Sequence, residues 1–139
     1  MRILMAGMVA LSLAGGSATA QQAAPPLVPE HQGDIGFVSG GTGLEDRETL
    51  RGMAGDYNLH LMFAVQPSGQ YLAGVGVTLN DAKGNTVLDT VSDGPLFYAH
   101  VPPGRYRVTV TSGGKAQTRD VQIAATGRAA QAFYWRQAG

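Results

Sequence analysis

The sequence predicts an all-β sandwich of seven strands with one short N-terminal helix. Three observations carry the prediction. From Tyr57 onward apolar and polar residues alternate with a period of two. Clusters of Gly, Pro, Asn and Asp recur about every ten residues, the spacing of short strands joined by tight turns. A helix-start signal stands ahead of the first of these strands. A chain of 139 residues fits a single domain with one modest core. With 10 Lys and Arg against 10 Asp and Glu it has no long-range field to draw in nucleic acid or an anionic membrane. No nucleic-acid partner is expected, so any partner must be recognised by local shape.

The first segment, MRILMAGMVALSLAGGSATAQQ, has the layout of a secretory signal: Arg2, an apolar run from Ile3 to Leu13, and small residues at Ala18-Thr19-Ala20. Cleavage is expected after Ala20, which sends the mature chain to the periplasm or the medium. The apolar run is short for a membrane span, and no Cys follows it to carry a lipid. Stable membrane insertion is therefore not expected. The chain contains no Cys, so packing and hydrogen bonds must supply its stability, and thiol chemistry and thiolate metal sites are excluded.

Residues 21–42 are expected to form a flexible leader, because QQAAPPLVPEHQGDIG mixes Pro, Gln and Ala without a hydrophobic period. The β-sandwich domain then spans 43–139. Thr42 followed by Glu45 is a capping box, and Asp46 and Glu48 suit the positive end of the helix dipole, so a helix is expected from Leu44 to Met53. In YNLHLMFAV the residues Tyr57, Leu59, Leu61, Phe63 and Val65 share one face. QPSGQ turns the chain into YLAGVGVTLND, and DAKGN turns it again into TVLDTV. SDG then opens the strand LFYAHV, with Phe97 on its outer face, and PPG reverses the chain into RYRVTVTS. Tyr106, Val108 and Val110 are expected inside, with Arg105, Arg107, Thr109 and Thr111 outside. Beyond SGGK, TRDVQIA turns Val121 and Ile123 inward, and AFYW makes the last strand.

The stretch Gly74 to Val110, GVGVTLNDAKGNTVLDTVSDGPLFYAHVPPGRYRVTV, resembles the carboxypeptidase regulatory-like family. The likeness lies in the GVGV strand, the D-x-x-G turn at Asp81 to Gly84, the SDG turn, and VPPGRY leading into the next strand. It spans the C-terminal half to two thirds of the mature chain, and it departs from the family in the compact SDGPLFYAHV. The resemblance implies a prealbumin-like, seven-stranded Greek-key β-sandwich. Upstream, GFVSGGTGLEDRETLRGMAGDYNLHLMFAV resembles the lead-in of small exported bacterial proteins that carry this domain alone. Fold is implied here more than activity.

The zinc carboxypeptidases need a His-x-x-Glu pair and a distant His, whereas this chain offers His31 and Asp34 in HQGD, with His60 and His100 on separate strands. Neither a metal nor another cofactor is expected. A tail like that of hydroxyisourate hydrolase would read Tyr-Arg-Gly-Ser, but Trp135 separates Tyr134 from Arg136. Ser39 lacks the preceding glycine of a nucleophile elbow, and SGGTG lacks the G-K-[ST] ending of a phosphate loop. Lys83 and Lys115 lie in turns, which argues against an intramolecular isopeptide bond. No enzyme activity is expected.

Binding is the remaining expectation. Phe133 and Trp135 are expected to cap the core, leaving Tyr134 outside; a charged alternative, Arg105, Arg107 and Arg119 on neighbouring outward positions, would make a small basic strip, although solvated strand faces commonly look the same. Tyr134, Arg105 and Arg107 are the expected contact residues of a non-catalytic module for a protein or cell-envelope partner. Two alternatives stay open: a carbohydrate-binding module, which needs Trp135 or Tyr134 exposed beside a groove, and a small hydrolase, which needs His60 or His100 gathered with a carboxylate.

Overall fold

The alternation that begins near Tyr57 becomes seven strands, and two further strands precede the helix. The computed structural model describes residues 27–136. In chain order the elements are β1 (Glu30–Gln32), β2 (Ile35–Gly40), α1 (Leu44–Met53), a single 3-10 turn (Ala54–Asp56), β3 (Leu59–Gln66), β4 (Val75–Asn80) and β5 (Thr86–Ser92), followed by β6 (Leu96–His100), β7 (Gly104–Ser112), β8 (Lys115–Ile123) and β9 (Ala129–Arg136). The proposed signal segment and the cut after Ala20 lie outside the described residues.

Two sheets result: five strands in the order β1-β2-β6-β3-β9, and four in the order β5-β4-β7-β8. Every neighbouring pair is antiparallel except β3 and β9, which run parallel from Leu59↔Ala129 to Gln66↔Arg136. The facing sides share one core, in which Leu61, Phe63, Val77, Leu79, Phe97 and Phe133 are at most 1 % exposed. On β7 the alternation holds as expected: Tyr106, Val108 and Val110 are buried while Arg105 and Arg107 are exposed.

The chain joins the sheet earlier than its composition suggests. Ile35, Phe37 and Val38 in the expected leader are 3 %, 3 % and 1 % exposed. Ile35 and Phe37 face the other sheet, while Val38 packs beneath α1 with Leu50 and Tyr98. A strand buried on both sides, with glycines at Gly36 and Gly40, carries no polar alternation to announce it.

Phe97 is not on an outer face: it points at the other sheet. Its neighbours Leu96 and Tyr98 take the outer side, where α1 covers them and removes the polar signal that would have told the two faces apart. Phe97 is fully buried and stacks on Phe37 with centroids 5.7 Å apart. β6 sits at the centre of the five-stranded sheet, and α1 roofs its outer side through Leu50 against Tyr98 and Leu96.

α1 has the expected bounds but a different cap. Gly43 is the N-cap residue in extended conformation, with no side-chain cap bond, and Thr42 is exposed. Arg47 instead donates from Nη1 to the Gly41 carbonyl at 3.0 Å, tying the helix to the end of β2. Asn58 closes the other end of the sheet, accepting from the Val101 N–H at 2.9 Å and donating to its carbonyl at 2.8 Å. Among the described residues no helix is long and apolar enough to cross a membrane.

Candidate functional site

Strand alternation projects Arg105 and Arg107 from the outer face of the four-stranded sheet. Register sets Arg107 opposite Asp120, and its Nε donates to Asp120 Oδ1 at 3.0 Å. Both side chains are well exposed, so the pair orients the guanidinium more than it stabilises the fold. With Asn80, Asp81 and Tyr106 these residues line an open cleft of about 310 Å³.

Asp81 is the best-held carboxylate of that cleft. Its Oδ1 accepts from the backbone N–H groups of Asn85 and Lys83, each at 2.9 Å. These bonds, the one from Asn85 foremost, hold its carboxyl below the usual carboxylate range. Because the folded-state value is depressed, the stabilising contribution is present above the ordinary carboxylate value near 4 and fades as pH falls below it. Asp81→Asn should therefore flatten the acid limb of stability. Thermal melts from pH 5 to pH 2 should show a smaller fall in Tm for the variant than for the wild type, and parallel curves would refute the assignment.

A second hollow, about 460 Å³, shares Asp81 and Tyr106 with this cleft and adds Gln32, Asp34, Val87 and Pro102. The Tyr106 hydroxyl donates to the Pro102 carbonyl at 2.7 Å, and burial pushes its phenol up from the ordinary value. The PPG reversal is thereby pinned to the core side of β7.

Tyr134 lies elsewhere. It projects from the outer face of the five-stranded sheet, 41 % exposed, whereas Arg105 and Arg107 project from the outer face of the other sheet. The three expected contact residues therefore belong to two surfaces. Register places Tyr134 opposite Ala64 and Ala132 opposite Met62. Met62, Leu96, Tyr98, Ala130 and Ala132, with His60, line a shallow, largely apolar groove of about 300 Å³.

The strand beneath Tyr134 is held rigidly. Gln117 Nε2 donates to the Tyr134 carbonyl at 2.7 Å, and Arg119 Nη1 donates to the Ala132 carbonyl at 2.7 Å and to Gln131 Oε1 at 3.0 Å. Arg119 also sits 4.3 Å over the Phe133 ring, so it is not part of an outward basic strip. The alternation that turns Val121 and Ile123 inward turns Arg119 inward as well. Trp135 is only 7 % exposed, with its indole N–H on the Lys115 carbonyl at 3.0 Å, and cannot offer a stacking face to a sugar.

The histidines occupy three different settings. His60 stacks on Tyr98 with centroids 4.2 Å apart, and its Nε2 lies 3.1 Å from the carbonyls of both Ala54 and Tyr57. Two acceptors at one nitrogen mean that Nε2 carries the proton and donates. His31 is held by the fold, in β1, with its ring over Gly36, which is also the register partner of exposed His100. His100 shares a hollow of about 310 Å³ with Asp56, Tyr57 and Arg128, and burial, then Asp56, raises the Tyr57 phenol. Among the described residues no hydrogen bond joins His100 to Asp56, and no three His, Asp or Glu side chains converge as metal ligands.

Sequence reasoning passed over Asp81 as a turn residue. An Asp followed two and four residues later by free N–H groups in a Gly-containing turn is the signal that could have found it. No protein-family model matches the chain, and no curated protein matches its sequence.

Proposed function

We propose that this chain is an exported, non-catalytic β-sandwich module that binds a protein or cell-envelope partner through the outer face of its five-stranded sheet. The observation that carries the reading is Tyr134, an exposed aromatic beside an apolar groove, on a strand whose backbone is locked from behind. A rigid aromatic next to apolar ground is the composition of a binding hot spot. The cleft holding Arg105, Arg107 and Asp81 is a separate polar surface on the opposite layer, suited to orienting a second contact.

The prealbumin-like, carboxypeptidase regulatory-like assignment belongs to the same proposal. It is supported by β3 to β9, seven strands in two sheets, in which the chain leaves the four-stranded sheet after β5, contributes β6 to the other sheet, and returns as β7. On this reading β1, β2 and α1 are additions that cover one margin and the roof of the sandwich.

In vivo cross-linking of the tagged mature chain in its native host tests the proposal, comparing the wild type with Tyr134→Ala and with Arg105→Ala. A single partner retained by Arg105→Ala and lost by Tyr134→Ala is the expected result. Equal recovery with all three chains would remove the Tyr134 face from consideration.

A further inference from the structure

β1 and β9 bound one sheet and β5 and β8 the other, and each such edge leaves a row of unpaired backbone groups that can recruit another strand. Three of the four are blunted. The Gln32 side chain clamps Asp89 on β5 like a neighbouring peptide, donating to its carbonyl at 3.0 Å and accepting from its N–H at 3.0 Å. Arg119 and Gln117 occupy the outward carbonyls of β9 at Ala132 and Tyr134. β1 is only three residues long.

β8 is different. It is nine residues long, contains no Pro, and pairs with β7 without a register shift from Ser112↔Lys115 to Gly104↔Ile123. Gly113 and Gly114, with φ of 57° and 78°, form the two-residue turn that makes Ser112↔Lys115 a hydrogen-bonded pair. Alternation from that pair turns the N–H and C=O groups of Ala116, Thr118, Asp120 and Gln122 away from β7. Among the described residues no protein group takes them.

We propose that β8 pairs with β8 of a second copy, antiparallel, with Thr118 on the two-fold axis, joining two four-stranded sheets into one of eight. Among the registers that overlap at least seven residues of β8, the charges select this one. A two-fold at Asp120 would oppose two carboxylates, and one at Arg119 would oppose two guanidiniums. At Thr118 the opposed pairs are Thr118 with itself, Ala116 with Asp120 and Gln117 with Arg119, with no like charges facing. The outer face already carries a hydroxyl row across the sheet, since Thr78 faces Thr109 and Thr109 faces Thr118, with hydroxyls of the last two 3.2 Å apart. Self-pairing continues that row into the partner. A two-fold contact is isologous and closes, so it yields a dimer rather than a fibre. The proposal is independent of the Tyr134 reading, which uses the outer face of the other sheet.

The absence of native Cys makes a single introduced thiol diagnostic. Hydrogen-bonded antiparallel partners have Cα atoms about 5.5 Å apart, within disulfide reach. Size-exclusion chromatography with light scattering should show a concentration-dependent dimer for the wild type. Thr118→Cys should cross-link on mild oxidation, while Asp120→Cys, opposite Ala116, should not. Thr118→Pro removes an outward N–H without touching the β7 ladder and should weaken association about tenfold or more, with its circular dichroism unchanged. A wild type that stays monomeric at every concentration, self-cross-linking of Asp120→Cys equal to that of Thr118→Cys, or a folded Thr118→Pro that dimerises normally would each overturn the proposal.

Discussion

Phe63→Ala is expected to cost about 3–5 kcal/mol, the range for deleting a fully buried aromatic ring. Phe63 has no exposed surface, and its ring centroid lies 6.1 Å from that of Phe133 and 6.2 Å from that of Trp135. It stands on β3, between β6 and β9, so the cavity would open where the two sheets meet and neither neighbouring strand can shift to fill it. A domain of this size has about 5–15 kcal/mol of total stability, and no disulfide is present to limit the loss. At about 1–3 kcal/mol per molar urea the unfolding midpoint should fall by roughly 2 M. A change under about 1 kcal/mol would mean that Phe63 is not at the centre of the core. Tyr134→Ala, by contrast, should stay within about 0.5 kcal/mol of wild type, which makes its effect on partner binding interpretable.

The contrast between these two residues shows what the sequence makes legible. Phe133, Tyr134 and Trp135 separate cleanly into inside, outside and inside because β9 is an edge strand with one face toward water, and a one-sided strand writes its burial into its polarity. β2 and β6 write no such pattern. Both are covered by the facing sheet on one side and by α1 on the other, so Val38 and Tyr98 are as buried as Phe37 and Phe97. The alternation also determined the outward placement of Arg105, Arg107 and Tyr134 separately, but which layer each strand joins depends on long-range pairing. Local spacing contains no term for that, and so it could not reveal that Tyr134 and the two arginines face different directions. Arg119 could have been placed from its own strand, since it shares phase with Val121; what hid it is its charge, which invites an outward reading until its partners at Gln131 and Ala132 are in view.

Gly94→Ala is expected to destabilise the protein by about 3 kcal/mol or more, at or above the upper end of ordinary overpacking. Read as part of SDG, this glycine is a turn residue valued for backbone freedom, yet its role in the fold is close approach. An added Cβ would fall on the carbonyl carbon and oxygen of Gly40 and 2.8 Å from its Cα. Those are backbone atoms of β2, and no rotamer change can move them aside. The site is also fixed from its own side, because the buried Ser92 hydroxyl donates to the Gly94 carbonyl at 2.7 Å. Relief would require separating β2 from the segment that carries the chain from β5 in one sheet to β6 in the other. Gly52→Ala provides the matched comparison: it lies in α1, exposed, with nothing within 4 Å of the new methyl group, and should gain about 0.5–1 kcal/mol from helix propensity. Urea melts of the two variants should move in opposite directions from wild type. A Gly94→Ala chain that melts with the wild type would show that β2 and the β5–β6 crossover do not meet at this distance.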